Sequence, residues 1–189
     1  LGKVLPKSLK KKMQRLRVRF GRGEEIKFIS HLDIMRLWER ALRRAEMPLA
    51  YSEGFSPHPR ISLAAPLPVG VTSEAELMDI FCARWVSPHL FTTAVSQQLP
   101  PGIKILQVYP IDLTVPSLQS LVRYAEYKVE VETEKDQKDI ESKIAYVLSV
   151  KQLPWQHERN TGRRSYDLRA LIDDLWLTNC HHPYCTIGM

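Results

Sequence analysis

Residues 14–20 alternate strictly between apolar and cationic side chains, with Leu16, Val18 and Phe20 set against Arg15, Arg17 and Arg19. A period of two predicts a half-buried strand that carries its arginines on the outward face. A turn at 21–23 follows, and residues 26–29 resume the strand or form a short hairpin. The period then lengthens. Ile34, Trp38, Ala41 and Ala45 share one helical face, flanked by Met35 and Leu42, while Arg36, Arg40, Arg43 and Arg44 fall on the opposite one. Ser30-x-x-Asp33 resembles a capping box that opens this helix, which runs to about Glu46 before Pro48 ends it.

Residues 60–65 and 75–83 read as two more strands joined through 66–73. Pro88 opens a second helix with Leu90, Phe91, Ala94, Val95 and Leu99 on its apolar side, and 103–109 is a strand after Pro100-Pro101-Gly102. The order β-α-β-β-α-β predicts an α+β fold, with a ferredoxin-like unit over 14–112 whose two helices cover one face of a four-stranded antiparallel sheet. Arg15, Arg17 and Arg19 then lie on the open face, the one such sheets commonly offer to RNA.

Residues 110–122 read as a connection between domains. Beyond it, 124–133 alternates with Tyr127, Val129 and Val131 inward, and 136–150 is a helix with Ile140, Ile144, Val147 and Leu148 on its stripe. Residues 153–158 and 165–172 read as strands joined through Asn160-Thr161-Gly162, a hairpin signal. This β-α-β-β order over 120–178 predicts a second ferredoxin-like unit without its final helix and strand. Residues 1–13 read as a basic arm or linker, and 179–189 as a tail.

At 189 residues, 44% hydrophobic and 25% charged, the chain has the composition of an ordinary globular protein. No apolar run approaches the roughly 20 residues needed to cross a bilayer, so no membrane partner is expected. The basic N-terminus lacks the apolar core of a secretory signal. Three cysteines, Cys82, Cys180 and Cys185, form no disulfide framework, which makes the cytoplasm the default location. Cys180, His181, His182 and Cys185 have the chemistry of zinc ligands, but a structural site wants two well-separated pairs. No metal or other cofactor is expected. Charge is polarised: fourteen Lys or Arg against four acids up to Arg44 leave +10 there, and −4 over the remainder. A basic end of this kind suits a polyanion, nucleic acid before membrane surface. The plainer account is a solvated arm and a charged helix face.

The stretch 51–70, YSEGFSPHPRISLAAPLPVG, is least explained by folding alone. Gly54, Pro57, Pro59 and Gly70 give it a stiff backbone path, and His58 and Arg60 mounted there meet an anionic or planar ligand at low ordering cost. Phe55 and His58 suit stacking or pairing with an unstacked base. Equally, the two polar side chains cap nearby carbonyls. His31, at the first helical turn beside Asp33, is a candidate base.

These residues carry a resemblance. The R-x-R-F strand, the S-H-L-D helix start, the G-F-S-P-H-P-R-I loop, the P-L-P-V-G turn and the acidic strand with Glu76, Asp79 and Ile80 resemble the radical SAM-linked protein family. Residues 163–172, RRSYDLRALI, resemble its later D-x-R segment, so the likeness covers most of 14–175. The final 180–189 looks foreign to that family's continuation. The resemblance implies a partner, a radical SAM enzyme fused in cis or acting in trans, often with a cobalamin-binding region. It also implies a ribonuclease E/G-type gene nearby. It carries over no catalytic residue. No C-x-x-x-C-x-x-C cluster motif occurs, so the chain is not itself the radical SAM catalyst.

Three functions follow as expectations. The leading one is an accessory module without catalytic activity of its own, binding RNA through Arg15, Arg17, Arg19, Arg36, Arg40, Arg43, Arg44, Phe55, His58 and Arg60. The second is a protein-docking subunit of the radical SAM enzyme. The third is a metal-independent RNA endonuclease in which His31 or His58 takes the 2′-OH proton and Arg60 holds the phosphate.

Overall fold

The computed structural model describes residues 13–159 and 162–189. Residues 1–12 of the expected basic arm, and Asn160 and Thr161 of the expected hairpin turn, lie outside them. The chain is mixed α+β with antiparallel sheets, and it divides between Arg123 and Tyr124 into two compact units.

In the first unit, β1 (Gln14–Arg22) is followed by α1 (His31–Arg44), β2 (Ile61–Leu63), β3 (Ser73–Cys82), α2 (Pro88–Ser96), β4 (Ile103–Ile111) and the short α3 (Leu118–Leu121). The strands form one antiparallel sheet in the order β2-β3-β1-β4. Leu16, Val18 and Phe20 are buried, as their alternation requires, against Ile34, Trp38 and Leu42 of α1 and Phe91 and Val95 of α2. Phe20 and Trp38 meet edge to face with ring centroids 4.9 Å apart. The cap of α1 forms: Ser30 Oγ accepts from the Asp33 amide at 3.2 Å and donates to its carboxylate at 2.7 Å. Ser87 caps α2 in the same way, with Pro88 at its first turn.

Residues 26–29 do not resume a strand. Glu24–Ile26 forms a single 3-10 turn, and the buried Arg22 side chain donates from Nη2 to the carbonyls of Ile26, Lys27 and Ile29. One guanidinium collects three carbonyls that a second strand would have left facing outward, so the chain curls around it.

In the second unit, β5 (Lys128–Glu132), α4 (Gln137–Ser149), β6 (Pro154–Arg159), β7 (Gly162–Asp167), β8 (Trp176–His181) and β9 (Tyr184–Gly188) build two sheets. β6 and β7 pair only with each other, while β5, β9 and β8 form a three-stranded antiparallel sheet in that order. The expected tail is therefore most of a hairpin whose second strand, β9, is the middle strand of a sheet. Trp176 faces Gly188 so closely that its indole fills the space a Cβ there would need. Cys180 and Cys185 are opposite one another and joined by a disulfide, whereas the cysteine count had suggested no disulfide framework. The His182–Pro183 peptide is cis. Ile140 and Cys185 are buried, and α4 packs on β8.

Candidate nucleic-acid interface

The arginines of β1 do not form an open ladder. The pairings Arg15–Phe81 and Arg17–Asp79 set both guanidinium groups beside β3, and the two close on Asp79. Arg15 Nε and Nη2 donate to its Oδ2 at 2.9 and 2.6 Å, and Arg17 Nε and Nη2 reach Oδ1 and Oδ2 at 2.7 and 3.0 Å. Asp79 is buried, and the Arg15 and Arg17 side chains are 4% and 11% exposed. The hydrogen bond to Asp79 raises the Arg17 pKa beyond its usual value, against the opposing effect of burial. Arg15 also donates to the carbonyls of Val115 and Pro116. The segment they belong to, expected as an interdomain connection, lies against the sheet: Leu118 is buried, and Gln119 reaches Ser62 and the Leu63 carbonyl. This part of the face is covered, and Arg15 and Arg17 serve the fold. Arg19, with no carboxylate opposite it, stays exposed.

The second arginine surface is accessible. Arg36, Arg40, Arg43 and Arg44 are exposed along α1, and among the described residues Arg36 is paired, through a 3.3 Å contact with Asp33. The Ser30 hydroxyl, and then Arg36 and Arg40, hold the Asp33 carboxyl below its ordinary pKa. Four guanidinium groups at spacings of four, three and one residue form a cationic stripe reaching the end of the helix.

That end of the unit gathers further groups. Ala50 N donates to Phe81 O, Phe81 N to Arg60 O and Arg60 N to Ala50 O, all at 2.8–3.0 Å, so residues 51–59 leave and rejoin the sheet at its margin. A bridge between Tyr51 and Pro59 and reciprocal bonds between Ser52 and His58 close the loop. Gly54, at φ 128°, makes the turn that a side chain would strain. Pro59 is buried; Phe55, Pro57 and His58 are exposed, Phe55 completely. Gly70, at φ 88°, donates to the Lys27 carbonyl and so ties the P-L-P-V-G turn to the entrance of α1. The Arg60 guanidinium lies 4.3 Å from the centroid of Phe81, a stacking that fixes the side chain and leaves it exposed.

Past the end of β3 stands Trp85, 71% exposed, next to the exposed Arg84. Gln14 holds that turn by accepting from the Val86 amide at 2.7 Å and donating to its carbonyl at 3.1 Å. Sequence reasoning missed Trp85, because a single aromatic between a strand and a helix belongs to no periodic pattern. The first unit thus offers one exposed ring and a stacked guanidinium on the stiff loop, and a second exposed ring past the end of β3.

The two candidate histidines are not together. His31 acts electrostatically on Glu76, whose carboxyl is raised by burial and lowered by Ser73, Arg22 and His31 in turn. Arg60 and His58 belong to the margin next to Phe81. Five residues of β3 separate Glu76 from Phe81, about 17 Å at strand rise. His31 and Arg60 thus associate with different ends of β3. A groove of ≈ 480 Å³ opens where β1 ends, lined by Gly21, Gly23, Ser73, Gly102 and Lys104 among others. No cluster of metal-ligating side chains occurs among the described residues.

Among the described residues no helix is long and apolar enough to cross a membrane. None of the curated proteins matches the chain. A family profile does, from residue 15 to residue 188, and so takes in both units together with the closing hairpin that had looked foreign. The chain belongs to DUF2344, a family described as an uncharacterized protein conserved in bacteria.

Proposed function

We propose that the first unit is a ferredoxin-like RNA-binding module, serving as an accessory to a radical SAM enzyme. The β-α-β-β-α-β order with sheet order β2-β3-β1-β4 supports the fold reading. The motifs shared with radical SAM-linked proteins support the partner. The observation that carries the RNA reading is the stiff loop that holds the exposed Phe55 and leads into the stacked, exposed Arg60, continuous in the chain with the α1 stripe, with Trp85 exposed past the end of β3. Guanidinium groups take phosphates without regard to sequence, and exposed rings stack on bases already out of a helix.

The test is fluorescence anisotropy of labelled single-stranded and hairpin RNA over a salt series. Each phosphate contact adds roughly 0.7 to the slope of log affinity against log salt for single strands. Replacing Arg36, Arg40, Arg43 and Arg44 by Gln should flatten that slope by about 3. Trp85→Ala or Phe55→Ala should leave the slope alone and weaken binding about 5- to 150-fold, the equivalent of 1–3 kcal/mol per stacked base. No binding at low salt would sink the reading. Phe55 at the tip of a proline-stiffened loop also favours a second reading, an anchor for a protein pocket. Capture of the radical SAM enzyme that survives nuclease and high salt, and is lost in Phe55→Ala, would select it.

A further inference from the structure

Among the described residues one edge of the second unit's sheet is open, and the pattern of β5 points to what covers it. Tyr127 and Met189 exchange both backbone hydrogen bonds, at 2.9 and 3.0 Å, and Thr133 N donates to Pro183 O at 2.7 Å. In an antiparallel pair these bonds alternate. The backbone groups of 127, 129, 131 and 133 therefore face β9, and those of Glu130 and Glu132 face away from the sheet, as the terminal place of β5 in the order β5-β9-β8 requires.

The first unit shows what such an edge ordinarily carries. There β1 leads into α1, the chain returns through β2, and β3 settles between β2 and β1. Here β5 leads into α4, the chain returns through β8 after the β6–β7 hairpin, and β9 settles between β8 and β5. The far side of β1 is covered by β4; the far side of β5 has no such strand among the described residues. Tyr127, Val129 and Val131 lie next to this edge on one face, 38, 42 and 37% exposed, while α4 sits over β8 at the opposite side of the sheet.

We propose that β5 pairs antiparallel with β5 of a second copy of the chain, about a two-fold axis through Val129. That register sets Lys128 opposite Glu130 of the second copy, twice over, and Tyr127 opposite its Val131, also twice. Val129 meets its own equivalent. Opposite charges and aromatic–β-branched neighbours are the favourable cross-strand pairs, and like charges directly opposite are unfavourable. Moving the axis to Glu130 sets that carboxylate against itself, so the charges select one register. The two three-stranded sheets become one of six strands. The apolar triplets, each half-exposed alone, cover one another. A strand end that invites uncontrolled pairing becomes a closed, isologous contact.

The experiment uses the whole chain. By sedimentation the protein should run at twice its 21.9 kDa in the micromolar range. Glu130→Pro should run at the single mass with an unchanged circular-dichroism spectrum, and its melting temperature should no longer depend on protein concentration, since proline there removes only an amide that faces away from β9. Mild oxidation should join Val129→Cys chains into covalent dimers, because directly opposed Cβ atoms lie about 5 Å apart. Glu130→Cys chains, one step out of register, should not join. A wild-type chain that stays at the single mass overturns the proposal. So does Glu130→Pro that remains dimeric, or cross-linking through Glu130→Cys in place of Val129→Cys.

Discussion

Replacing Asp79 by asparagine removes the one negative charge between two buried guanidinium groups and leaves the side-chain volume unchanged. Asp79 accepts four hydrogen bonds, two from each arginine, and both arginine side chains are largely out of water. Asparagine keeps one acceptor oxygen and points an N–H₂ group at cations that have nowhere to turn. Breaking a buried pair by removing one partner costs about 3–5 kcal/mol, because the other charge is left uncompensated. In a chain of this size each kcal/mol moves the melting temperature by about 2–4 °C, so the expected loss is about 6–20 °C. Urea unfolding followed by circular dichroism measures it, provided the slope against urea stays constant. A loss under about 1 kcal/mol would refute the ion-pair reasoning. The triple variant Arg15→Met, Arg17→Met, Asp79→Leu is the companion test. Replacing the whole cluster by apolar groups of similar size should restore much of the stability. It should still fall short by about 1–3 kcal/mol, since the Val115 and Pro116 carbonyls lose the donor they share.

Burial raises the Glu76 carboxyl, so in the window between its ordinary pKa of 4.5 and the raised folded value the native state holds a proton that the unfolded chain has released. Stability then falls as pH rises through that window. Glu76→Gln should stabilise the protein at pH 7 and make no difference below about pH 4, read from melting temperatures across pH. Burial also lifts the Cys82 thiol to about 11, so it should label with a thiol reagent at pH 8 at least ~100-fold more slowly in the native protein than in urea. Equal rates in the two states would contradict that burial. Gly188→Ala sets a methyl group where the Trp176 ring lies. It should cost about 1–3 kcal/mol by overpacking and shift the tryptophan emission, whereas an unchanged spectrum would mean the indole is not seated there.

What the sequence disclosed was local. The alternation in β1 and the 3.6-residue stripe of α1 are written into neighbouring positions, and the buried sets match them. The Ser30 cap is equally local. What stayed hidden depends on partners far along the chain. Arg15 and Arg17 look identical to Arg19 in the pattern, and only the strand 64 residues on decides that two of them meet Asp79 while the third meets Leu77. The curl at 24–26 needed the side chain of Arg22 to collect three carbonyls, which no periodicity announces. The closing hairpin was hidden for a different reason. β8 and β9 are short and carry polar residues on exposed positions, so their apolar contrast is weak, and Trp176 and Gly188 explain each other only once paired. At the candidate interface the loop was conspicuous through its glycine and prolines, and Trp85 was silent.

The Arg15 guanidinium joins the second residue of β1 to carbonyls one hundred residues later. The same guanidinium closes on Asp79 of β3 and lies beside the end of β4, where Arg15 pairs with Ile111. The covering of this face of the sheet and the ion cluster beneath it are therefore coupled through one side chain, and neither can be altered there without the other feeling it.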